Sequence, residues 1–296
     1  MDQERQPSPD GVVPDHMVRQ YGGHLMSARH IILYRGSSTP VDELEAMKKY
    51  FLATPTRLDI DYGDLVIGRY SVLPFYREQE RDVMHVGAGL INTYAEHKYA
   101  ADLGLWIKDL EGDTPQTWVS GNFADLPDDK MFVLKGETNS KKFLWDTHMF
   151  AGGKDEVGAV LGRLLDDSLI SEQTIYVREY VPLVTYIQGL HGLPITKEFR
   201  VFVYDKCVVE AGFYWASHAV DIEDSGKKIP SPREIPIDWL NSVIERIGTK
   251  IPFYAVDVAQ DQTGKWWVID LNDGQMAGLS MIDPDIFYSK LKCLLP

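Results

Sequence analysis

At 296 residues the chain is long enough for one large domain or two ordinary ones, since single hydrophobic cores stop growing near about 250–300 residues. Its 44% hydrophobic, 25% charged and 11% aromatic residues match a globular composition and exclude wholesale disorder, collagen and coiled coil. With 44 acidic against 30 basic residues the formal charge is -14, which argues against a general nucleic-acid or anionic-membrane binder and leaves a local basic pocket as the place for a nucleotide.

Residues 1–28 carry Pro7, Pro9, Pro14 and the Gly22-Gly23 pair with little periodicity, and are expected to form a flexible arm outside the fold. HIILY (30–34) has strand length and apolarity. Thr39-Pro40 then opens a helix, with Thr39 as N-cap, Pro40 at its first position and Leu44, Met47 and Phe51 on one face. DLVIG (64–68) repeats the strand signal, and a helix is predicted over LINTYAEHKYAADL (90–103). The polar, proline-containing segment 109–130 closes this first α/β lobe, taken as 29–130.

From Met131 strands dominate: MFVLKG, TIYVREYV, EFRVFVYD, CVVEAGFYW, FYAVDVAQ and WWVIDLN, with helical patterns at 155–166, 237–247 and 284–294. The expected architecture is α+β behind α/β, with antiparallel strands and a few helices over 131–296. No run of about 18 apolar residues occurs, and MDQERQPSPDG lacks an apolar signal region, so a cytoplasmic protein is expected. Cys207 in a strand-like run and Cys293 in the last helix-like turn have neither disulfide-framework nor zinc spacing.

FYAVDVAQDQTGKWWVIDLNDG (253–274) places two apolar strands around a polar turn. If Thr263-Gly264 form a two-residue turn, Gln262 faces Lys265 and Asp257 faces Asp270, with Asn272 on the same face. Two opposed carboxylates repel unless a positive group lies between them, and Mg²⁺ (or Mn²⁺) with phosphate and water is the natural oxygen-liganded solution. The same geometry also suits the solvent face of an ordinary hairpin. In KEFRVFV (197–203), Glu198 and Arg200 leave one strand on one face, as for a ribose-binding acid and a phosphate-binding arginine, or for a cross-strand ion pair on an exposed face. In FVLKGETNSKK (132–142), Lys135 ends an apolar strand before a polar loop suited to phosphate, although no G-x-x-x-x-G-K-[ST] motif is present.

In this order the pieces resemble the ATP-grasp superfamily over about residues 64–290. The resemblance implies an ATP-grasp fold in which central (131–180) and C-terminal (181–296) lobes clasp the nucleotide behind an N-terminal α/β lobe. It assigns Lys135 to the α- and β-phosphates, and REYV (178–181) to the interlobe hinge, where Glu179, Tyr180 and Val181 meet the adenine. Glu198 fits the ribose-binding acid, Arg200 a contact to the reacting phosphate, and Lys98 an additional nucleotide-binding lysine. Asp257, Asp270 and Asn272 match the metal ligands, Asp270 standing where the family has glutamate. IGRYSVLPFY (67–76), with Arg69, and the arginine of EFRVFV are similar to a subgroup named for a shared arginine and a pair of lysines.

The implied activity is ATP-dependent, ADP-forming ligation: a carboxylate of a small molecule or peptide is activated as an acyl phosphate and joined to an amine or thiol, with Lys135 and Arg200 in catalytic roles. Gln275 and Ser280, in the loop DGQMAGLS (273–280), are candidate acceptor contacts together with Arg69. A kinase on the same site, or a nucleotide-binding assembly factor that uses residues 1–28 toward a protein partner, are the alternatives.

Overall fold

The computed structural model describes residues 28–121 and 123–296; the arm expected at 1–28 lies outside the described residues except for Ala28. β1 (His30–Leu33), β2 (Leu52–Thr54), β3 (Leu65–Gly68) and β4 (Gly89–Ile91) form a parallel sheet in the order β2-β1-β3-β4. A parallel sheet must be covered on both faces. Here α1 (Val41–Tyr50) sets Ala46 and Met47 against Ile32 and Ile67, while α2 (Tyr76–His85) sets Tyr76 and Val83 against Ile31, Leu33 and Val66.

Two local expectations change. Pro40 is extended (φ -56, ψ 149) and is itself the cap of α1, and the Thr39 hydroxyl donates back to the Arg35 carbonyl at 3.0 Å instead of capping. The helix predicted from residue 90 begins later. Leu90 and Ile91 complete the sheet as β4, and α3 (Tyr94–Ala101) opens at a Thr93/Glu96 capping box, followed by α4 (Leu103–Trp106).

The second sheet is antiparallel, β5-β8-β6-β7, from β5 (Thr117–Val119), β6 (Phe132–Gly136), β7 (Phe150–Ala151) and β8 (Ile175–Glu179). β5 belongs to this sheet although it precedes residue 130. α5 (Lys154–Leu165) covers it with Val157, Val160 and Leu164. A short ribbon follows, β9 (Thr185–Gln188) with β10 (Pro194–Thr196).

The third sheet runs β12-β11-β13-β14, from β11 (Glu198–Tyr204), β12 (Cys207–Phe213), β13 (Phe253–Gln260) and β14 (Trp266–Asp273), all antiparallel. α6 (Ala219–Asp224) and α7 (Ile237–Ile247) join the core on the face that carries Phe199, Val201, Val203 and Val256. On the other face Phe202, Phe253 and Ala255 pack with Phe287, Tyr288 and Leu291 of α8 (Pro284–Leu294), and with Ile32 and Ile67 of the first sheet. Because side chains alternate, that second face also carries Glu198, Arg200 and Asp257. One face is thus apolar where it joins the lobes and polar where it opens into the cleft. Mixed helices and antiparallel sheets behind an α/β lobe give the α+β architecture expected from the strand pattern.

Candidate active site

The site is built from β6, β8, β11 and the β13-β14 hairpin. Asp257 pairs directly with Asp270, as the sequence counting predicted, but by a different route. The turn is longer by one residue: Asp261 N–H donates to Lys265 O at 2.9 Å, and Gly264, at φ +94°, closes the loop in the left-handed region that glycine tolerates. An irregularity between Asp257 and Val258 restores the register beyond it. Asn272 donates to Asp257 Oδ2 at 3.2 Å, so the three oxygen-bearing side chains share one face.

Each carboxylate carries its own cation. Arg200 grips Asp257 with two hydrogen bonds of 2.8 Å, and Lys135 Nζ donates to Asp270 Oδ2 at 2.9 Å. The expected mutual repulsion is therefore relieved within the chain. Burial pushes the Asp270 carboxyl up, but Lys135 beside it, with Arg178 and Lys142 behind, outweighs this and holds it below the usual carboxylate range. Burial lowers the Lys135 ammonium against the pull of Asp270, and Arg178 and Lys142 lower it further. A lysine so placed gains from any added anion.

Glu198 has no such relief. It is 3% exposed; Oε2 accepts from Thr196 Oγ1 at 3.2 Å, while Oε1 is buried without a partner among the described residues. Burial raises its carboxyl to about 7, with the nearby Lys142 and Arg200 opposing and Asp257 reinforcing the shift. A buried acceptor with no donor is matched by the hydroxyls of a ribose.

The hinge follows at the end of β8. Glu179 N–H donates to Gln116 O and Tyr180 N–H to Met131 O, both at 2.8 Å, while the Val181 N–H has no acceptor among the described residues. The Glu179 side chain pairs with Lys130 at 2.8 Å, which leaves its backbone at the hinge, and Tyr180 packs edge-on against Phe150. The sixteen residues between Val181 and Glu198 fold as the β9-β10 ribbon, and Leu193, Pro194 and Thr196 from it wall the cavity.

Three cavities succeed one another. The first, about 120 Å³, runs from Tyr180, Val181 and Glu198 to Lys135 and Asp270. The second, about 230 Å³, shares Lys135 and Asp270 and adds Asn139, Asn272 and Ser71. The third, about 670 Å³, shares Ser71, Met276 and Ala277 with the second and reaches Arg35 and Ser280. One cleft thus passes from the hinge, over the paired aspartates, to the first lobe.

The remaining expected residues have other duties. Lys98 does not line the cleft; it donates to Glu137 at 2.9 Å, and Glu137 lines the second cavity. Arg69 is buried, and its guanidinium is spent on Glu43 (2.8 Å), Tyr288 (3.0 Å) and the carbonyls of Gly274 (2.5 Å) and Ala277 (2.9 Å). Gln275 is buried too: its Oε1 accepts from Gly68 N–H at 2.7 Å and its Nε2 donates to Tyr76. Both hold the post-hairpin loop to the first lobe. Ser280, half-buried at φ 57, borders the third cavity.

Two cations escaped the sequence reading. Lys142, at the end of the FVLKGETNSKK segment, donates to Tyr214 at 2.9 Å and lines the first cavity; burial would lower its ammonium, but Glu198, Tyr214 and Asp257 together raise it. Arg178, the first residue of REYV, donates to Ile269 O at 2.6 Å and Thr114 at 2.8 Å, and burial lowers it to about 10. The doubled lysine of the loop and the arginine before the hinge were the signals available.

The donor set suits a hard cation: two carboxylates and an amide oxygen match Mg²⁺, which takes one or two carboxylates and keeps water and phosphate. Among the described residues no three His, Cys, Asp or Glu side chains gather, so no alternative soft or all-carboxylate centre competes.

The sequence profile of an ATP-grasp domain, family 3 of the clade named for an arginine and two lysines, matches residues 152–291. No curated protein matches the chain. Among solved structures, a RimK domain protein ATP-grasp from Sphaerobacter thermophilus superposes with a TM-score of 0.57 at 15% identity, covering 89% of this chain and 99% of that one. The D-cycloserine synthetase DcsG gives 0.58 at 15% identity over 90% and 99%. The ATP-grasp ligase PsnB, complexed with minimal precursor, Mg and ADP, gives 0.51 at 10% identity over 89% and 97%. Residues 152–291 are an ATP-grasp domain of the arginine-and-two-lysines clade, and the chain that carries them is an ATP-grasp protein.

Proposed function

We propose that the protein is an ATP- and Mg²⁺-dependent, ADP-forming ligase that activates a carboxylate as its acyl phosphate and joins it to an amine of a small molecule or peptide. The observation that carries this is the succession along one cleft of an unpartnered buried acid, a buried lysine with lowered proton affinity, and a cation-paired pair of aspartates. PsnB, bound to Mg and ADP beside its precursor, supports a reaction of this class on the same fold.

In this reading Glu198 takes the ribose hydroxyls and the hinge backbone of Glu179 and Val181 takes the adenine edge. Lys135 and Lys142 face the phosphates, and Asp257, Asp270 and Asn272 hold Mg²⁺ or Mn²⁺. When bound, nucleotide and metal supply the phosphoryl group that makes a carboxylate electrophilic and the charge that neutralises it. Arg200, whose planar fork is already oriented by Asp257, faces the charge that develops on transfer. The interlobe walls exclude water from the activated acid. The exposed, unpaired thiols of Cys207 and Cys293 fit a reducing cytoplasmic setting, and among the described residues no helix is long and apolar enough to cross a membrane.

The test is ADP release with Mg²⁺-ATP and panels of acids and amines. A ligase releases ADP only when acid and amine are both present. Release with a hydroxyl acceptor alone would make it a kinase, and tight nucleotide binding without any product would make it a binding module.

A further inference from the structure

The third cavity is the largest of the cleft, at about 670 Å³, within the range of small-molecule sites, yet nothing in the nucleotide reading uses it. Its position follows from topology. In the order β2-β1-β3-β4 the chain leaves β1 for one side and returns to β3 on the other, with α1 and α2 on opposite faces. The switch point therefore lies between the carboxyl ends of β1 and β3, where open parallel sheets form a crevice. Arg35 follows β1, Ser71 follows β3, and both line the cavity.

Its charged lining is of two signs. Arg69 and Glu43 neutralise each other at 2.8 Å. The Arg35 guanidinium stacks over Tyr70, 5.0 Å from the ring centre, and makes no ion pair or hydrogen bond among the described residues. Asp42, exposed at the same cavity, is likewise without a partner among them. One free guanidinium and one free carboxylate in one concavity, beside the hydroxyls of Ser37 and Ser71, fit a ligand that carries both an anion and a cation.

We propose that this cavity binds an amino acid as a zwitterion, Arg35 taking the α-carboxylate and Asp42 the α-ammonium. The side chain then points through the gap at Ser71, Met276 and Ala277 toward Asp270 and Asn272, so the side-chain end is the one that reacts. Arg200 touches the same loop, donating to Gly278 O at 2.9 Å, and links an occupied cavity to the phosphate end. This deepens the ligase reading and rests on it for the reaction, though not for the binding.

The experiment is calorimetry of the twenty L-amino acids against the full chain, with and without Mg²⁺-ADP. At least one amino acid is expected to bind, and Arg35→Ala and Asp42→Asn should each weaken it about tenfold or more while ADP affinity, which also reports folding, stays unchanged. The desamino analogue of that ligand should bind wild type about tenfold more weakly than the amino acid does, and should be insensitive to Asp42→Asn. No binding by any amino acid, binding undiminished in both variants, or equal binding of the desamino analogue overturns the proposal. Amino-acid binding that follows these rules in a protein that never releases ADP would sink the ligase reading and leave this one standing. ADP release with binding insensitive to both substitutions would do the reverse.

Discussion

Glu198 shows how much a single side chain can carry. Strand alternation in KEFRVFV put it beside Arg200 on one face, and the structure does the same, but its missing partner is not a sequence property: it depends on Thr196 reaching only Oε2. Burial raises its carboxyl to about 7 from 4.5, so the folded state binds the proton more tightly than the unfolded chain does. The resulting stability is fully present below about pH 4.5 and is lost as pH rises through about 7. Glu198→Gln removes that loss. The variant should therefore gain relative to wild type between pH 5 and pH 8, by up to about 3 kcal/mol, in urea unfolding of the nucleotide-free protein. A difference that stays constant across this range would show that Glu198 titrates normally. Lys142 and Arg178 illustrate what stays hidden at this scale. Their sequence neighbours, a doubled lysine and an apolar strand, are common, and their importance arises only from Tyr214, Thr114 and Ile269, which lie far along the chain.

The β13-β14 hairpin was legible because period-two alternation survives a one-residue error: the turn is longer than the two residues assumed, a bulge compensates, and Asp257 still faces Asp270. What the pattern could not give was the neighbouring sheet. Lys135 comes from β6 and Arg200 from β11, and these cations turn two repelling carboxylates into two ion pairs. The consequence for mutation reverses sign. With repulsion alone, Asp270→Asn would be neutral or stabilising without metal; with Lys135 10% exposed at 2.9 Å, it leaves a buried ammonium under-compensated. A loss of about 2 kcal/mol is expected in the metal-free protein, and little of the stabilisation by Mg²⁺-ADP should remain. Thermal unfolding of both proteins with and without Mg²⁺-ADP measures both effects. A variant as stable as wild type would mean that Lys135 finds another partner, and a full ligand-dependent gain would remove Asp270 from the metal site. The same limit explains β4: Leu90 and Ile91 fit a helix pattern locally, and only the open edge of β3 makes them a strand.

How the lobes meet was the least legible property, because its contacts join residues some 200 positions apart. Arg69 reaches Gly274 and Ala277 from 205 and 208 residues away and carries Glu43 and Tyr288 with it. Next to it Asp273, at the end of the metal-bearing strand, accepts from Tyr76 at 3.0 Å and Asn92 at 2.7 Å of the first lobe. The loop between the hairpin and α8 is thus held by the first sheet, and the wall shared by the second and third cavities, Met276 and Ala277, is held with it. If Arg69 touched substrate, Arg69→Lys would raise a substrate KM and spare stability. As an interlobe tether it predicts the opposite order. Lysine keeps the charge but cannot serve a carboxylate, a phenol and two carbonyls at once, so stability should fall by about 2–3 kcal/mol. ATP affinity, set at the hinge and Lys135, should change little, while turnover falls as the post-hairpin loop loosens. Urea unfolding and nucleotide calorimetry on one variant decide between the two roles, since only the tether links a large stability loss to an unchanged nucleotide site.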